Sequence, residues 1–153
     1  MYYFASDIHL GLQIGSDPEN RERLLVQWLD EVSKDADATF LVGDIFDFWY
    51  EYRYVVPKGF TRLLGKLSEL TDRGISVHFF GGNHDIWTYR YLHDECGVTL
   101  YHSPYAEFEL DGRKVIVGHG DMLGPRPAGQ RILSAIFRSK LLQWLFSMLH
   151  PYW

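Results

Sequence analysis

Residues 39–47 read Thr39-Phe40-Leu41-Val42-Gly43-Asp44-Ile45-Phe46-Asp47. A short uncharged run of β-branched and aromatic residues that ends on glycine is a buried strand. The glycine lets the backbone turn sharply, which frees the next carboxylate to point into a cleft. Taken alone, the Gly-Asp pair is read equally well as an ordinary turn. Three more predicted strands along the chain run into such a cluster. Tyr2–Ser6 runs into Asp7-Ile8-His9, Ile75–Phe80 runs into Gly81-Gly82-Asn83-His84-Asp85, and Arg113–Val117 runs into Gly118-His119-Gly120-Asp121. Four acid, amide and imidazole clusters at four strand exits imply a fold that gathers donors into one pocket at the carboxyl edge of a sheet.

The segments between the strands read as helices. Ser16-x-x-Glu19 is a capping-box pattern with Pro18 in the first turn, and Leu24, Leu25, Trp28, Leu29 and Val32 follow as one stripe. Phe60, Leu63, Leu64, Leu67 and Leu70 define a second helix, ended by Gly74. A short helix is expected over Trp87–Glu95, stopped by Gly97 and capped by Asp85. Asp111-Gly112 between Tyr105–Leu110 and Arg113–Val117 signals a hairpin. Residues 128–149 are helical in pattern again, and Phe48 to Val56 is an aromatic loop. Strand–helix alternation implies right-handed crossovers and a parallel inner sheet with helices on its faces, an α/β class. Ligands of such sheets bind outside the carboxyl ends of the strands, where all four clusters fall.

Composition narrows the function. The length of 153 residues suits one domain with a real core. The net charge of −5 and the lack of a basic block give no reason to expect nucleic acid as a partner. The single Cys96 forms no internal disulfide and fits a reducing compartment. The chain enters a strand at Tyr2 with no basic-then-apolar leader, so no signal peptide is expected. No apolar run is long enough to span a bilayer. Aromatic residues at 16% exceed what a small core needs, which hints at an apolar ligand or a membrane face.

The clusters carry specific chemistry. Asp7 and His9, two apart in extended chain, would point the same way and hold one cation jointly, although Asp-x-His alone is also an ordinary surface loop. The two oxygens of Asp44 can bridge a pair of metals. The amide oxygen of Asn83 is a neutral ligand for Mn²⁺ or Mg²⁺, and as a plain polar turn the same cluster would only cap a helix. His84 beside it can donate a proton to a leaving oxygen or hydrogen-bond a phosphate, with Asp47 orienting the imidazole. His119 between two glycines is a further candidate ligand. His78, His93, His102 and His150 lack such context and are read as structural or surface residues. The implied reaction is hydrolysis of a phosphate ester or anhydride by a hydroxide held on two divalent cations.

In combination, Asp-x-His, Gly-Asp-x-x-Asp, Gly-Asn-His-Asp and Gly-His resemble the calcineurin-like metallophosphoesterase superfamily. That resemblance implies a β-sandwich with a parallel-strand core flanked by helices. It assigns Asp7 and His9 to one metal, Asp44 to the bridge, Asn83 and His119 to the other metal, and His84 to the leaving group, with Asn83 and His84 also meeting substrate. Gly43-Asp44-Ile45-Phe46-Asp47-Phe48-Trp49 and Val117-Gly118-His119-Gly120-Asp121-Met122-Leu123 further resemble the UDP-2,3-diacylglucosamine pyrophosphatases of lipid A synthesis. Those enzymes imply cleavage to UMP and 2,3-diacylglucosamine 1-phosphate, Mn²⁺ as the usual ion (Mg²⁺, Fe²⁺ or Zn²⁺ otherwise), and a peripheral place on the cytoplasmic face of the inner membrane. One branch of them carries Arg where this chain has His84.

The superfamily also carries a later Gly-His-x-His, and nothing after His119 supplies it. Residues 1–153 are therefore read as the N-terminal portion of the domain, with its C-terminal part missing and residues 126–153 opening a helical cap. Ile132, Leu133, Ile136, Phe137, Leu141, Leu142, Trp144, Leu145, Phe146, Met148 and Leu149 make a broad apolar face, with Arg131, Arg138 and Lys140 among them. Such a face suits an acyl chain or an anionic membrane, or packs on a missing core or partner; left bare, it promotes self-association. Two other readings stay open: a metallophosphoesterase acting on nucleotide or nucleic-acid diesters, and a non-catalytic scaffold of the same fold.

Overall fold

The computed structural model describes residues 1–13, 18–120, 129, 132, 135–137 and 139–149. Ser16 of the capping box, and Asp121, Met122, Leu123, Arg131, Leu133, Arg138 and His150, lie outside the described residues. Two compact units, Met1–Asp121 and Met122–Trp153, divide the chain.

In the first unit, strands and helices alternate as the hydrophobic periods require. The order is β1 (Tyr2–Ala5), α1 (Pro18–Val32), β2 (Ala38–Val42), α2 (Thr61–Asp72), β3 (Ser76–Phe80), α3 (Tyr91–Cys96), β4 (Thr99–Tyr101), β5 (Ala106–Leu110) and β6 (Arg113–Val117). The first four strands form one parallel sheet whose order, β1-β2-β3-β4, is their order in sequence. β5 and β6 form a separate antiparallel pair. Its turn puts Asp111 at φ 49° and Gly112 at φ 73°, two left-handed residues in a row, as a tight hairpin demands.

Side-chain alternation sends the strand residues into two cores. Leu41, Val77 and Phe79 face Leu25 and Leu29 of α1, Leu63, Leu67 and Leu70 of α2, and Leu92 of α3. Each such fully buried side chain contributes about 1.5–3 kcal/mol. Phe40, Val42 and Phe80 face the other way, onto Ala106, Phe108 and Val117 of the hairpin. The parallel sheet is thus flanked by helices on one face and by the hairpin on the other, which makes the sandwich. In-register rings stack across the hairpin side: Phe40 on Phe4 at 4.6 Å, His78 on Phe40 at 4.6 Å and Phe80 on Tyr101 at 4.4 Å between centroids. His78 is a structural residue here, with Nδ1 3.0 Å from the Tyr101 hydroxyl, and burial holds its pKa below the ordinary histidine value.

Two helices begin without a side-chain cap of their own, and a glutamate from another element supplies it. Glu22 Oε1 accepts the N–H groups of Arg62 and Leu63 at 3.0 and 3.1 Å, at the start of α2. Glu51 Oε2 accepts those of Arg90 and Tyr91 at 2.7 and 3.1 Å, at the start of α3. The expectation that Asp85 caps this helix is therefore corrected. The helix also starts at Tyr91 rather than Trp87, because Trp87 is bridged to Tyr50 and Thr88 bonds back to the Asp85 carbonyl. In the second unit, α4 (Lys140–Ser147) is capped by Ser139, none of its residues is buried, and Leu141, Trp144 and Leu145 are exposed. Among the described residues no helix is long and apolar enough to cross a membrane.

Candidate metal centre

The loops that leave β1 and β2 run together. Asp7 N–H donates to the Gly43 carbonyl at 3.1 Å, His9 N–H to Asp44 at 2.9 Å, Leu10 N–H to Ile45 at 2.9 Å, and Asp47 N–H back to Leu10 at 2.9 Å. The chain is not extended here. Asp7, His9 and Asp44 have φ of 55°, 49° and 53°, so the two-residue alternation from which Asp7 and His9 were expected to point the same way ends with β1. A non-glycine residue held in this region costs about 1–3 kcal/mol, and such residues cluster where side chains must be aimed.

Asp44 is the centre of the arrangement. Its side chain is 6% exposed. Oδ2 lies 3.4 Å from Nε2 of His119 and 3.9 Å from Nε2 of His9, and Oδ1 accepts the His84 N–H at 3.0 Å. His119 Nδ1 is 3.1 Å from the Val42 carbonyl, which can only accept, so Nδ1 carries a proton and Nε2 is turned to Asp44. Without metal the pair is an ion pair: the Asp44 carboxylate raises His119 to about 9. Burial pushes the Asp44 carboxyl up, but His119 and the His84 N–H outweigh it and leave it below the usual carboxylate range. Asp47 Oδ1 stands 3.4 Å from Nδ1 of both His9 and His84, whose rings meet edge to face at 4.7 Å. His84 Nδ1 is also 3.0 Å from the Asp47 carbonyl.

Among the described residues the acidic and imidazole donors fall into two sets, Asp7, Asp44 and His119, and His9, Asp44 and His84, with the ligand atoms of each set within 4.8 Å of one another. Asp44 belongs to both. Carboxylate and imidazole together suit divalent cations from Mg²⁺ and Mn²⁺ to Zn²⁺. Among the described residues His9 Nδ1 is buried without a hydrogen-bond partner, a cost that a nearby cation or a repositioned Asp47 would remove. The loops approach so closely that a Cβ on Gly82 would sit 2.2 Å from Asp44 Oδ1, and one on Gly43 2.5 Å from the His119 ring. Asn83 stands exposed between Gly82 and His84 on the β3 exit loop. The sequence reading missed the position of Asp85, which is wholly buried beneath the site. Nothing in Asn-His-Asp separates a helix cap from a buried carboxylate.

Residues 2–148 match the profile of the calcineurin-like phosphoesterases. The chain belongs to the calcineurin-like phosphoesterase family. Calcineurin-like phosphoesterases work with divalent metal ions, and the twin donor sets fit such ions. The chain is similar to the UDP-2,3-diacylglucosamine hydrolase of Porphyromonas gingivalis, 43% identical over 152 residues, which are 99% of this chain and 58% of that protein. It is similar to the enzyme of the same name from Aeromonas salmonicida, 34% identical over 94% of this chain and 54% of that protein. A third, from Neisseria meningitidis serogroup B, is 32% identical over 99% of this chain and 61% of that protein. The chain thus spans little more than half the length of these curated relatives.

Proposed function

We propose that this calcineurin-like phosphoesterase is a metal-dependent hydrolase of UDP-2,3-diacylglucosamine, releasing UMP and 2,3-diacylglucosamine 1-phosphate. The observation that carries the reaction class is one buried carboxylate, Asp44, common to two converging donor sets. The substrate rests on the relatives and their coverage of this chain. When bound, a pair of divalent cations supplies Lewis acidity toward the phosphoryl oxygens and an activated water. Asp7, His9, Asp44, Asn83 and His119 would hold those ions, with Asp44 shared, and Mn²⁺ is the ion we assign. His119 keeps a proton on Nδ1 through Val42 and presents Nε2 to the site. His84 keeps a proton on Nδ1 through the Asp47 carbonyl, which leaves Nε2 to exchange a proton with the leaving oxygen. Asp47 orients His84, and Asn83 with His84 meets the phosphates.

Residues 1–153 then form the N-terminal portion of the phosphoesterase domain, and residues 126–153 the start of a helical cap. The exposed apolar side chains of α4 beside Lys140 support a peripheral seat on the cytoplasmic face of the inner membrane, and also self-association of the isolated chain. The test is a substrate panel with Mn²⁺, run on this chain and on the complete product of its gene: UDP-2,3-diacylglucosamine, bis-p-nitrophenyl phosphate and cyclic nucleotides. Cleavage of the acylated substrate above the others is expected. Preference for a soluble diester would make it a different phosphodiesterase, and inactivity of both proteins toward all three would make it a scaffold.

A further inference from the structure

The Asp85 side chain is completely buried, and among the described residues no cationic side chain pairs with it; burial holds its pKa above the ordinary aspartate value, against the backbone N–H groups that bond to it. Among the described residues, its partners are backbone N–H groups of the two site loops. Oδ1 accepts Gly82 at 2.7 Å and Asp44 at 3.3 Å; Oδ2 accepts Ile45 at 2.8 Å and Phe46 at 3.2 Å. Three of those donors follow β2 and one follows β3. The tie is reciprocal, because Asp44 on the first loop accepts the His84 N–H of the second at 3.0 Å. Gly82 completes the arrangement: its bare Cα lets the two loops touch where any side chain would strike Asp44. Asp44 is also one of the residues forced into left-handed backbone, a conformation that persists only where its surroundings over-determine it. The N–H bonds to Asp85 bracket that residue and the two after it.

We propose that Asp85 is a positioning residue of the metal centre: its carboxylate holds the Asp44–Phe46 backbone against the β3 exit loop and so aims the Asp44 carboxylate at both donor sets. The proposal rests on the metal-centre reading above and adds a residue that is itself no ligand. A carboxylate is the side chain that suits the position, because it offers acceptor capacity on both oxygens and no donor to oppose an N–H. Asparagine has the same shape, but its NH₂ group would face two of the four donors and leave them unpaired in a buried site.

The experiment is Mn²⁺ binding, followed by calorimetry and by the electron paramagnetic resonance signal of free Mn²⁺, in the wild type and in Asp85→Asn, Asp44→Ala and Leu70→Ala. Leu70 lies in the helix-side core and serves as a control for lost stability. Asp85→Asn is expected to remain folded and to weaken Mn²⁺ roughly 10–100-fold, the range for groups that orient metal ligands, while Leu70→Ala lowers the melting temperature and leaves Mn²⁺ affinity alone. A folded Asp85→Asn with wild-type Mn²⁺ affinity overturns the proposal, as does an equal loss in Leu70→Ala. Should Asp85→Asn not fold, hydrogen exchange of the wild type decides: the amides of Gly82, Asp44, Ile45 and Phe46 must exchange as slowly as those of the central strands, and fast exchange overturns it. Asp44→Ala separates the two levels. If it leaves Mn²⁺ binding intact, the metal-centre reading falls and the proposal with it; if it abolishes binding while Asp85→Asn does not, only the positioning role falls.

Discussion

Gly82→Ala is the sharpest mechanical test of how the centre is assembled. Gly82 does not use left-handed backbone, so an alanine there is not strained by its own geometry. The obstacle is Asp44, whose Oδ1, amide nitrogen and Cγ would lie 2.2, 2.5 and 2.9 Å from the new Cβ. Asp44 would have to recede by roughly 1 Å to reach ordinary van der Waals contact. It is pinned on both sides, by the Asp85 carboxylate at its N–H and by the His84 N–H at its Oδ1. Overpacking costs about 1–3 kcal/mol, and breaking the bond from His84 to a charged acceptor costs about 1.5–3 kcal/mol more. Removing glycine's extra freedom from the unfolded chain offsets only about 0.4–1 kcal/mol. A net loss of about 1.5–5.5 kcal/mol in unfolding free energy follows. The assay is equilibrium urea unfolding without metal, read by tryptophan fluorescence, with Mn²⁺ affinity measured on the folded variant. A stability within about 0.5 kcal/mol of the wild type, the range of a neutral surface change, together with unchanged Mn²⁺ binding, would refute the reasoning.

Three further outcomes are expected. Gly65→Ala, in the middle of α2 with nothing within 4 Å of the added carbon, should raise stability by about 0.5–1 kcal/mol, and a lower urea midpoint would contradict it. His84→Ala should slow turnover roughly 10²–10⁴-fold while weakening Mn²⁺ far less; equal loss of both would make His84 a ligand. The Asp44–His119 pair sets a pH window for the metal-free fold. Its contribution is complete between the ordinary Asp44 value of 3.8 and the ordinary His119 value of 6.5, and is lost as pH rises through about 9, where folded His119 gives up its proton. Urea midpoints in chelator should fall from pH 6.5 to pH 9.5 in the wild type and stay flatter in Asp44→Asn, and Mn²⁺ binding near pH 7.5 should release a proton. Identical profiles for the two proteins would show that the pair contributes nothing.

β1, β2 and β3 were legible as short, largely apolar runs closed by glycine or an acid, β6 from the Asp111-Gly112 turn before it, and α1 and α2 because their leucines recur on one stripe. β4 was not: Thr99-Leu100-Tyr101 is too short to show a period, and it becomes a strand only by pairing with β3. The boundary of α3 was misread because its N-terminal groups are satisfied by Glu51 from a distant loop, a partner that no local motif announces. The residues of the centre could be named from their motifs. Their aim could not, because a left-handed aspartate or histidine leaves no mark in the letters around it. Asp85 was hidden for a related reason: a carboxylate that collects amides from a loop some forty positions earlier looks, in sequence, like any acid after a turn.

A sheet whose strands lie side by side in the order of their synthesis can grow from one edge as the ribosome releases it, each new strand docking beside its predecessor. The nascent chain then owns a helix-backed platform, and on it Asp7, His9, Asp44 and His84, before the hairpin bearing His119 has emerged. One donor set, His9, Asp44 and His84, lies wholly on that platform, whereas the other is closed only by His119 after the hairpin.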